Sequence, residues 1–541
     1  MGLKNNNFVI TSILGLFLAT ILASVWAIFG RINVEFHVFL LFLNIVLLLR
    51  FRKSIFKIYQ SFILEFKQLQ KVFKIVLILI SLLIIAQCAS IPFVIDNESY
   101  YIQTIKWLNE YGFVKGLANL HIFLGQASGW HVTQSVFNFS FLYKNFNDLS
   151  GFCLLLGNIF SFQKLNQYYL NQNKNDLIIG LVPLFNVLFF QFISAPSPDI
   201  PVYIFSFILF FYFLENFKKT TKEDFNLIVI LVLFLIYIKS TMLTFIIIPL
   251  ILLALNYKSL SKNISKPIII TAITISLFII KNMIICGSPI FPSKLSNFWA
   301  MDYAIPDSIE NFYYNLIKQY GYFTTAEQYN SISVSELFFR WLTLPKLHGF
   351  FNSFAFLLII VSPFFIYKFQ NKKSAWILYG IMILQLFLLF LTSPQYRFFL
   401  NFLIFFSLFC LVSIIQNKKI IEFLLLFSIV PILIILFLPL NFSMFSNNKL
   451  MEKSSGFFTQ NFIFPHVNTK NDTSFATFQI GNLKYNSPKN NAFFWGTGDG
   501  DLPCINKAQI EYFKKHFSTI PQMRTNDLKD GFYAKKLSEN E

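Results

Sequence analysis

Val72-Phe-Lys-Ile-Val-Leu-Ile-Leu-Ile-Ser-Leu-Leu-Ile-Ile-Ala-Gln-Cys-Ala-Ser-Ile91, followed closely by Asp96-Asn-Glu-Ser-Tyr-Tyr-Ile-Gln-Thr-Ile-Lys-Trp107, governs the reading of the whole chain. The first run offers the ~20 mostly apolar residues that cross ~30 Å of hydrocarbon, so Asp96 belongs just outside the bilayer, where water and headgroups meet. A carboxylate placed there can meet both a lipid-borne and a water-borne reactant. The spacing also allows a plainer role. Asp96 can cap a following helix in which Tyr100, Ile105, Leu108 and Tyr111 fall near one face, as in a helix lying along the interface.

Working outward, 55% of the 541 residues are hydrophobic and 13% charged, with a mean hydropathy of +0.58. A water-soluble globule cannot hide that much apolar surface, so an all-α polytopic membrane protein is expected. The first apolar segment, Phe8 to Ile28, runs into Phe29-Gly30-Arg31 without a small-x-small cleavage pattern and reads as a retained span.

The net charge of +18 would suit nucleic acid, but its placement points to topology. Lysines and arginines gather at Arg50 to Lys74, Lys164 and Lys174, Lys218 and Lys219, Lys258 to Lys266, Lys368 to Lys373, and Lys418 and Lys419. The positive-inside rule puts all six groups in the cytoplasm. That is consistent only if Leu227 to Tyr257 crosses twice, turning near Lys239-Ser-Thr241, which gives about 13 spans with the N-terminus inside and the C-terminus outside. The chain then divides into a transmembrane unit, residues 1–440, with outer loops 92–149, 194–200 and 287–350, and a small polar outer tail, residues 441–541.

The unusual residues collect on the outer loops. They include Asp96, Glu98, Tyr100, Asn119, His121, Trp130 and His131 from the first loop, and Asp199 from the proline-rich turn Ser194-Ala-Pro-Ser-Pro-Asp199. Lys239 comes from the double pass and Arg397 from Thr392-Ser-Pro-Gln-Tyr-Arg397. An ionisable group at membrane depth is costly, so Lys239 should face a polar cavity or a partner, unless it snorkels to the interface. Arg397 can equally anchor among headgroup phosphates, and Asp199 can cap the helix beginning at Ile200-Pro201. His121 and His131 lack a zinc-ligand spacing, and Gly496 to Gly500 lacks the GK[ST] of a P-loop. No cofactor is required; a divalent cation on Asp96 or Asp199 stays open. Of the five cysteines, Cys504 lies on the outer tail, and Cys286 is its one plausible disulfide partner.

Asp96 with Tyr100, Gln103 and Trp107, Val114-x-Gly-Leu-Ala-Asn-Leu-His121, Gly125, Ser128 with Trp130, Lys281-Asn282 with Gly287-x-Pro-x-Phe-Pro292, and Ser393-Pro-x-x-Arg397 together form a pattern. It resembles an uncharacterised bacterial family of multi-pass proteins, itself similar to the GT-C superfamily of membrane glycosyltransferases. Tyr101 and Phe123 depart from it, standing where a histidine and an arginine would be expected. The resemblance implies a GT-C-like helical bundle in a bacterial plasma membrane, acting on a polyprenyl-phosphate sugar donor. The acceptor would be an extracytoplasmic glycan, lipid or protein, and nucleic acid is not expected as a partner.

In that scheme Asp96 is the base of a hexosyl or pentosyl transfer. Glu98, Tyr100, Asn119, His121, Trp130, Asp199, Lys239 and Arg397 contact substrate, and Arg397 and Lys239 face the departing phosphate. Two other classes remain. A transporter or flippase of lipid-linked saccharide would show internal repeats, which the sequence lacks. A ligase or polymerase like those of O-antigen would rest on loop arginines, of which the loop after Pro292 offers only Arg340.

Overall fold

The computed structural model describes residues 7–145, 149–292, 301–370, 372–438, 440–448, 450, 457–462, 466–470, 473–489 and 493–538. Among these, eight helices are long and apolar enough to cross a membrane: Phe8–Phe29 (α1), Val34–Gln68 (α2), Lys71–Cys88 (α3), Asp199–Asn216, Ser265–Cys286, Lys346–Phe369, Lys373–Leu391 and Lys418–Phe437. The chain is a helical membrane protein with little sheet. Asn7 starts α1 by accepting the Ile10 amide through its side chain. Only 6% of the apolar window of α2 is buried, so this helix presents its side chains outward, toward lipid.

The loop after α3 is built inward. A π-helical turn, Asn97–Tyr101, leads into Ile102–Glu110 (α4), and Gly129–Phe137 (α5) follows. In α4 all residues but Lys106 and Glu110 are buried. It is sandwiched between the bundle and the tail and does not lie along an interface, contrary to the expectation from its spacing.

The difference between eight such helices and the thirteen expected lies in short or interrupted segments and in the helix Leu149–Asn171, which is long enough but too polar. Ser240–Leu255 and Leu400–Ile414 are apolar but shorter. The run Leu177 to Ile193, apolar enough in sequence to read as one span, is three pieces: Lys174–Gly180, the turn Val182–Phe185 and Asn186–Phe189. Pro183 has no amide hydrogen to donate. Asn186 also turns inward to exchange amide hydrogen bonds of 2.8 and 3.1 Å with Asn158 of the helix Leu149–Asn171 (α6). The break expected in Leu227 to Tyr257 is present. Helix Lys222–Ile238 ends at Lys239, whose backbone is extended, and a 3₁₀ turn, Ser240–Ile246, leads into Ile247–Leu255.

Phenylalanine supplies much of the packing inside the bundle. The rings of Phe210, Phe245, Phe402 and Phe405 lie 5.0–5.7 Å apart. Dispersion and ring contacts hold helices together where lipid is as apolar as the core.

At one end of the bundle the long loops and the tail form a polar cap. The tail contributes two antiparallel hairpins, Phe475–Ile480 (β1) with Leu483–Pro488 (β2) and Thr519–Met523 (β3) with Phe532–Lys536 (β4), and the helix Lys507–Phe517 between them. The Phe532 amide donates to the Lys115 carbonyl at 2.9 Å. Gly531, at φ +93, is required there, because a Cβ would lie 2.0 Å from that carbonyl oxygen. Lys106 meets Asp499 at 3.1 Å and Arg524 meets Asp302 at 2.5 Å. The Cys286–Cys504 disulfide, which the sequence left open without requiring, does not form. All five cysteines are free, and these two donate to the Asn282 and Thr497 carbonyls.

Candidate functional site

Four charged groups from four distant elements meet under the cap. Asp96 precedes the π turn and makes no capping bond. Its Oδ2 accepts from Arg397 Nη1 at 2.5 Å and from the Tyr101 hydroxyl at 3.4 Å. Its Oδ1 receives no hydrogen bond from the described residues, and the side chain is 18% exposed. Asp199 opens its helix, again without capping it; its Oδ1 pairs with Lys239, while Oδ2 is buried without a partner. The capping roles open to both acids are therefore not used. Lys239 neither snorkels nor stands alone.

The sequence shapes each of these positions. Lys239 reaches Asp199 because its helix has just ended, which frees its stem to turn inward. Arg397 sits in a 3₁₀ turn after Pro394. That turn is held from several sides: Trp341 Nε1 donates to the Pro394 carbonyl at 2.8 Å, Tyr203 donates to the Arg397 carbonyl at 2.8 Å, and Arg397 Nε donates to Gln395. The ring of Phe398 lies 4.2 Å from Lys239 Nζ and 5.1 Å from the Arg397 guanidinium carbon, so one aromatic ring serves both cations.

Burial opposes charge on Arg397, but Asp96 and Asp199 outweigh it and hold the guanidinium protonated well above its ordinary range. Burial pushes the Tyr100 phenol up, with Asp96 adding to it, and does the same to Tyr101; both stay neutral donors. An aromatic wall adjoins them. Tyr100 stacks on Phe123 at 5.7 Å, Phe123 meets Trp495 at 4.8 Å and Tyr313 at 5.2 Å, and Tyr313 stacks on Phe291 at 5.4 Å. Among the described residues no three His, Cys, Asp or Glu side chains gather as metal ligands.

Of the residues singled out in the sequence, Asp96, Asp199, Lys239 and Arg397 converge, with Tyr100 alongside. Glu98 does not join them. Its carboxylate accepts from Thr469 at 2.5 Å and from the Lys470 amide at 2.8 Å, and its carbonyl takes the Thr497 and Gly498 amides, so it clasps the tail. Asn119 donates to the Tyr303 carbonyl, and Trp130 donates to Ser150. His121 Nδ1 accepts the Phe123 amide, which leaves Nε2 to donate to the Trp495 carbonyl at 3.2 Å. These four read as structural contacts of loop and tail. Phe398, Gln395 and Tyr203 were not singled out; only the adjacency of Phe398 to Arg397 could have flagged the first.

Burial lowers His121 to about 4. It also lowers His131, helped by Lys281 and opposed by Asp96, to about 3. A histidine depressed below its ordinary value contributes stability that is complete above about 6.5 and is lost as pH falls toward the folded value, so each should forfeit ~2 kcal/mol by pH 5. Glu98, which burial pushes up, works in the opposite sense. Unfolding measured from pH 7 to 5 is expected to show destabilisation, and His121→Gln is expected to remove ~2 kcal/mol of it by pH 5. An unchanged slope in that variant would show that His121 is not the group responsible.

No curated protein and no solved structure matches the chain. A family model described as a domain of unknown function, DUF8201, matches residues 1–404. The match takes in Asp96, Asp199, Lys239 and Arg397 and stops before the capping tail. The chain belongs to the DUF8201 family.

Proposed function

We propose that this protein is a GT-C-like membrane glycosyltransferase that moves a sugar from a polyprenyl-phosphate donor to an extracytoplasmic acceptor, with Asp96 as general base. The observation that carries this reading is the unengaged Oδ1 of Asp96, held beside two carboxylate–cation pairs at the capped end of a membrane bundle. The acceptor hydroxyl gives its proton to Oδ1 as its oxygen bonds the anomeric carbon. The bond from that carbon to the phosphate oxygen breaks, and its electron pair leaves on the lipid phosphate. One displacement inverts the centre, by analogy with inverting glycoside chemistry. Arg397 and Lys239 are each matched by a carboxylate, so their first task is to orient Asp96 and Asp199. They also set the positive potential toward which the phosphate departs. The step as written uses no cofactor; a divalent ion would have to share either acid with the cation already on its other oxygen.

The test is transfer of labelled hexose or pentose from polyprenyl-phosphate donors by the purified protein. Absence of transfer from every donor to envelope acceptors would overturn the reading. A flippase of lipid-linked saccharide is the second reading, favoured by the helix break at Lys239 with an ion pair beside it. In proteoliposomes, movement of the saccharide across the bilayer without a new glycosidic bond would install it instead. The ligase-like reading loses support, since Arg340 spends its guanidinium on the Tyr322 and Phe323 carbonyls.

The same reading places the N-terminus in the cytoplasm of a bacterial plasma membrane and the cap outside. Cysteines introduced at exposed Ser54 and Thr477, in a background lacking the native five, should differ. An impermeant thiol reagent should label position 477, and not 54, in intact cells. The reverse pattern inverts the topology. Asn371, also expected inside, lies outside the described residues.

A further inference from the structure

On helix Ser265–Cys286, Lys281 is buried at 2% exposure. Its ammonium donates to the Ala127 carbonyl, just before α5, and lies 5.3 Å from the Phe278 ring. It forms no ion pair among the described residues, unlike Lys239 and Arg397. His131, on the first turn of α5, is fully buried, and neither ring nitrogen has a partner. Its ring lies 4.8 Å from that of Tyr101, which bonds Asp96. The charges of Lys281 and Asp96 both reach the His131 ring.

Counting charges over this group, Asp96 offsets Arg397 and Asp199 offsets Lys239, which leaves Lys281 positive and His131 neutral. An uncompensated cation at membrane depth, next to an imidazole with two idle nitrogens, is a costly arrangement unless something anionic fills it. A phosphate matches this chemistry: its several oxygens can take the remaining ammonium hydrogens and the imidazole N–H together. We infer that Lys281 and His131 seat the phosphate group of the lipid-borne donor. This rests on the glycosyltransferase reading for the identity of the ligand, and it moves the phosphate anchor from Arg397, already committed to Asp96, to Lys281.

The test uses full-length protein in phosphatidylcholine nanodiscs, with farnesyl phosphate, farnesol, phosphatidylglycerol and inorganic phosphate as probes and binding constants as readout. The parent should bind farnesyl phosphate at least tenfold more tightly than farnesol. Equal affinity overturns the seat without recourse to any variant. Lys281→Gln, which can still donate to the Ala127 carbonyl, should weaken farnesyl phosphate by roughly 10- to 100-fold, the range of a charge-assisted hydrogen bond. Its thermal midpoint without ligand should not fall, because an unpaired buried charge has gone. Lys281→Arg should retain most of the binding, and His131→Phe should lose part of it.

Unchanged affinity in Lys281→Gln overturns the seat. Inorganic phosphate or phosphatidylglycerol binding as tightly as farnesyl phosphate overturns its assignment to the prenyl donor. Failure of the two proposals is separable. Lysine-dependent binding with no sugar transfer from any donor keeps the seat and removes the transferase, whereas transfer with lysine-independent binding does the reverse.

Discussion

Asp96→Asn is expected to lower sugar transfer by roughly 10²- to 10⁴-fold, the usual loss when a general base is removed, while the protein still reaches the membrane. The substitution keeps the shape and an acceptor oxygen for Arg397 and Tyr101, and takes away the proton acceptor. The pair with Arg397 is partly open, the two side chains being 18% and 25% exposed, so its weakening should be tolerated. Glu98→Gln is the informative neighbour. Two residues away, its carboxylate points to the tail, where it holds Thr469 and Lys470, so it should loosen the cap and slow transfer far less. Asp199 is the rival, because its Oδ2 is buried with no partner. The three variants are compared with the parent at equal membrane levels, using a polyprenyl-phosphate donor. Near-parent turnover in Asp96→Asn with loss in Asp199→Asn would exchange the two roles; turnover retained in all three would place the site elsewhere.

How much of this was legible in the sequence follows from the range of each signal. Apolar runs gave the helical membrane class, and one lysine in an apolar run, with the need to cross twice, located the break at Lys239. The prolines flanking Asp199 and preceding Arg397 marked both turns. Pairing was not legible. Arg397 and Asp96 are 301 residues apart, and no periodicity says which acid meets which base. Glu98 read as a substrate contact beside Asp96, because the π turn that carries it toward the tail has no composition signal.

Tertiary contacts across the tail were equally hidden. Glu98 meets Thr469 across 371 residues, so the loop residues Glu98, Asn119 and His121 resembled substrate contacts when their partners are main-chain and tail groups. The run Leu177 to Ile193 read as one span because hydropathy averages over Pro183 and Asn186, whose effect depends on Asn158 facing them. Lys281 carried the same signal as Lys239, a lone cation in an apolar helix. It entered the sequence reading only as part of a motif, because its want of a carboxylate is a property of the packed bundle.

Breaking the Asp199–Lys239 pair from one side is expected to be the most destabilising single change in the bundle. Asp199 is 1% exposed and Lys239 15%, so removing either leaves the other's charge in a medium that solvates it poorly. Loss of one partner from such a pair costs about 3–5 kcal/mol. Asp199→Asn should be the worse of the two, because it leaves Lys239 and Arg397 as like charges around the Phe398 ring, with Asp96 alone to balance them. Lys239→Met leaves Asp199 within the field of Arg397, which still acts on it, and should cost less. The double variant, Asp199→Asn with Lys239→Met, removes both charges. It should regain part of the loss, giving a coupling energy of about 1–3 kcal/mol in the double-mutant cycle. Unfolding of detergent-solubilised protein measures all four corners. Strict additivity, or single losses below about 1 kcal/mol, would mean that water reaches the pair and that the charges are screened as at a surface. Transfer assays on the same proteins separate the two roles of the pair. If the double variant recovers stability but not turnover, Asp199 and Lys239 serve the reaction, and if it recovers both, they serve only to close the bundle beneath Asp96.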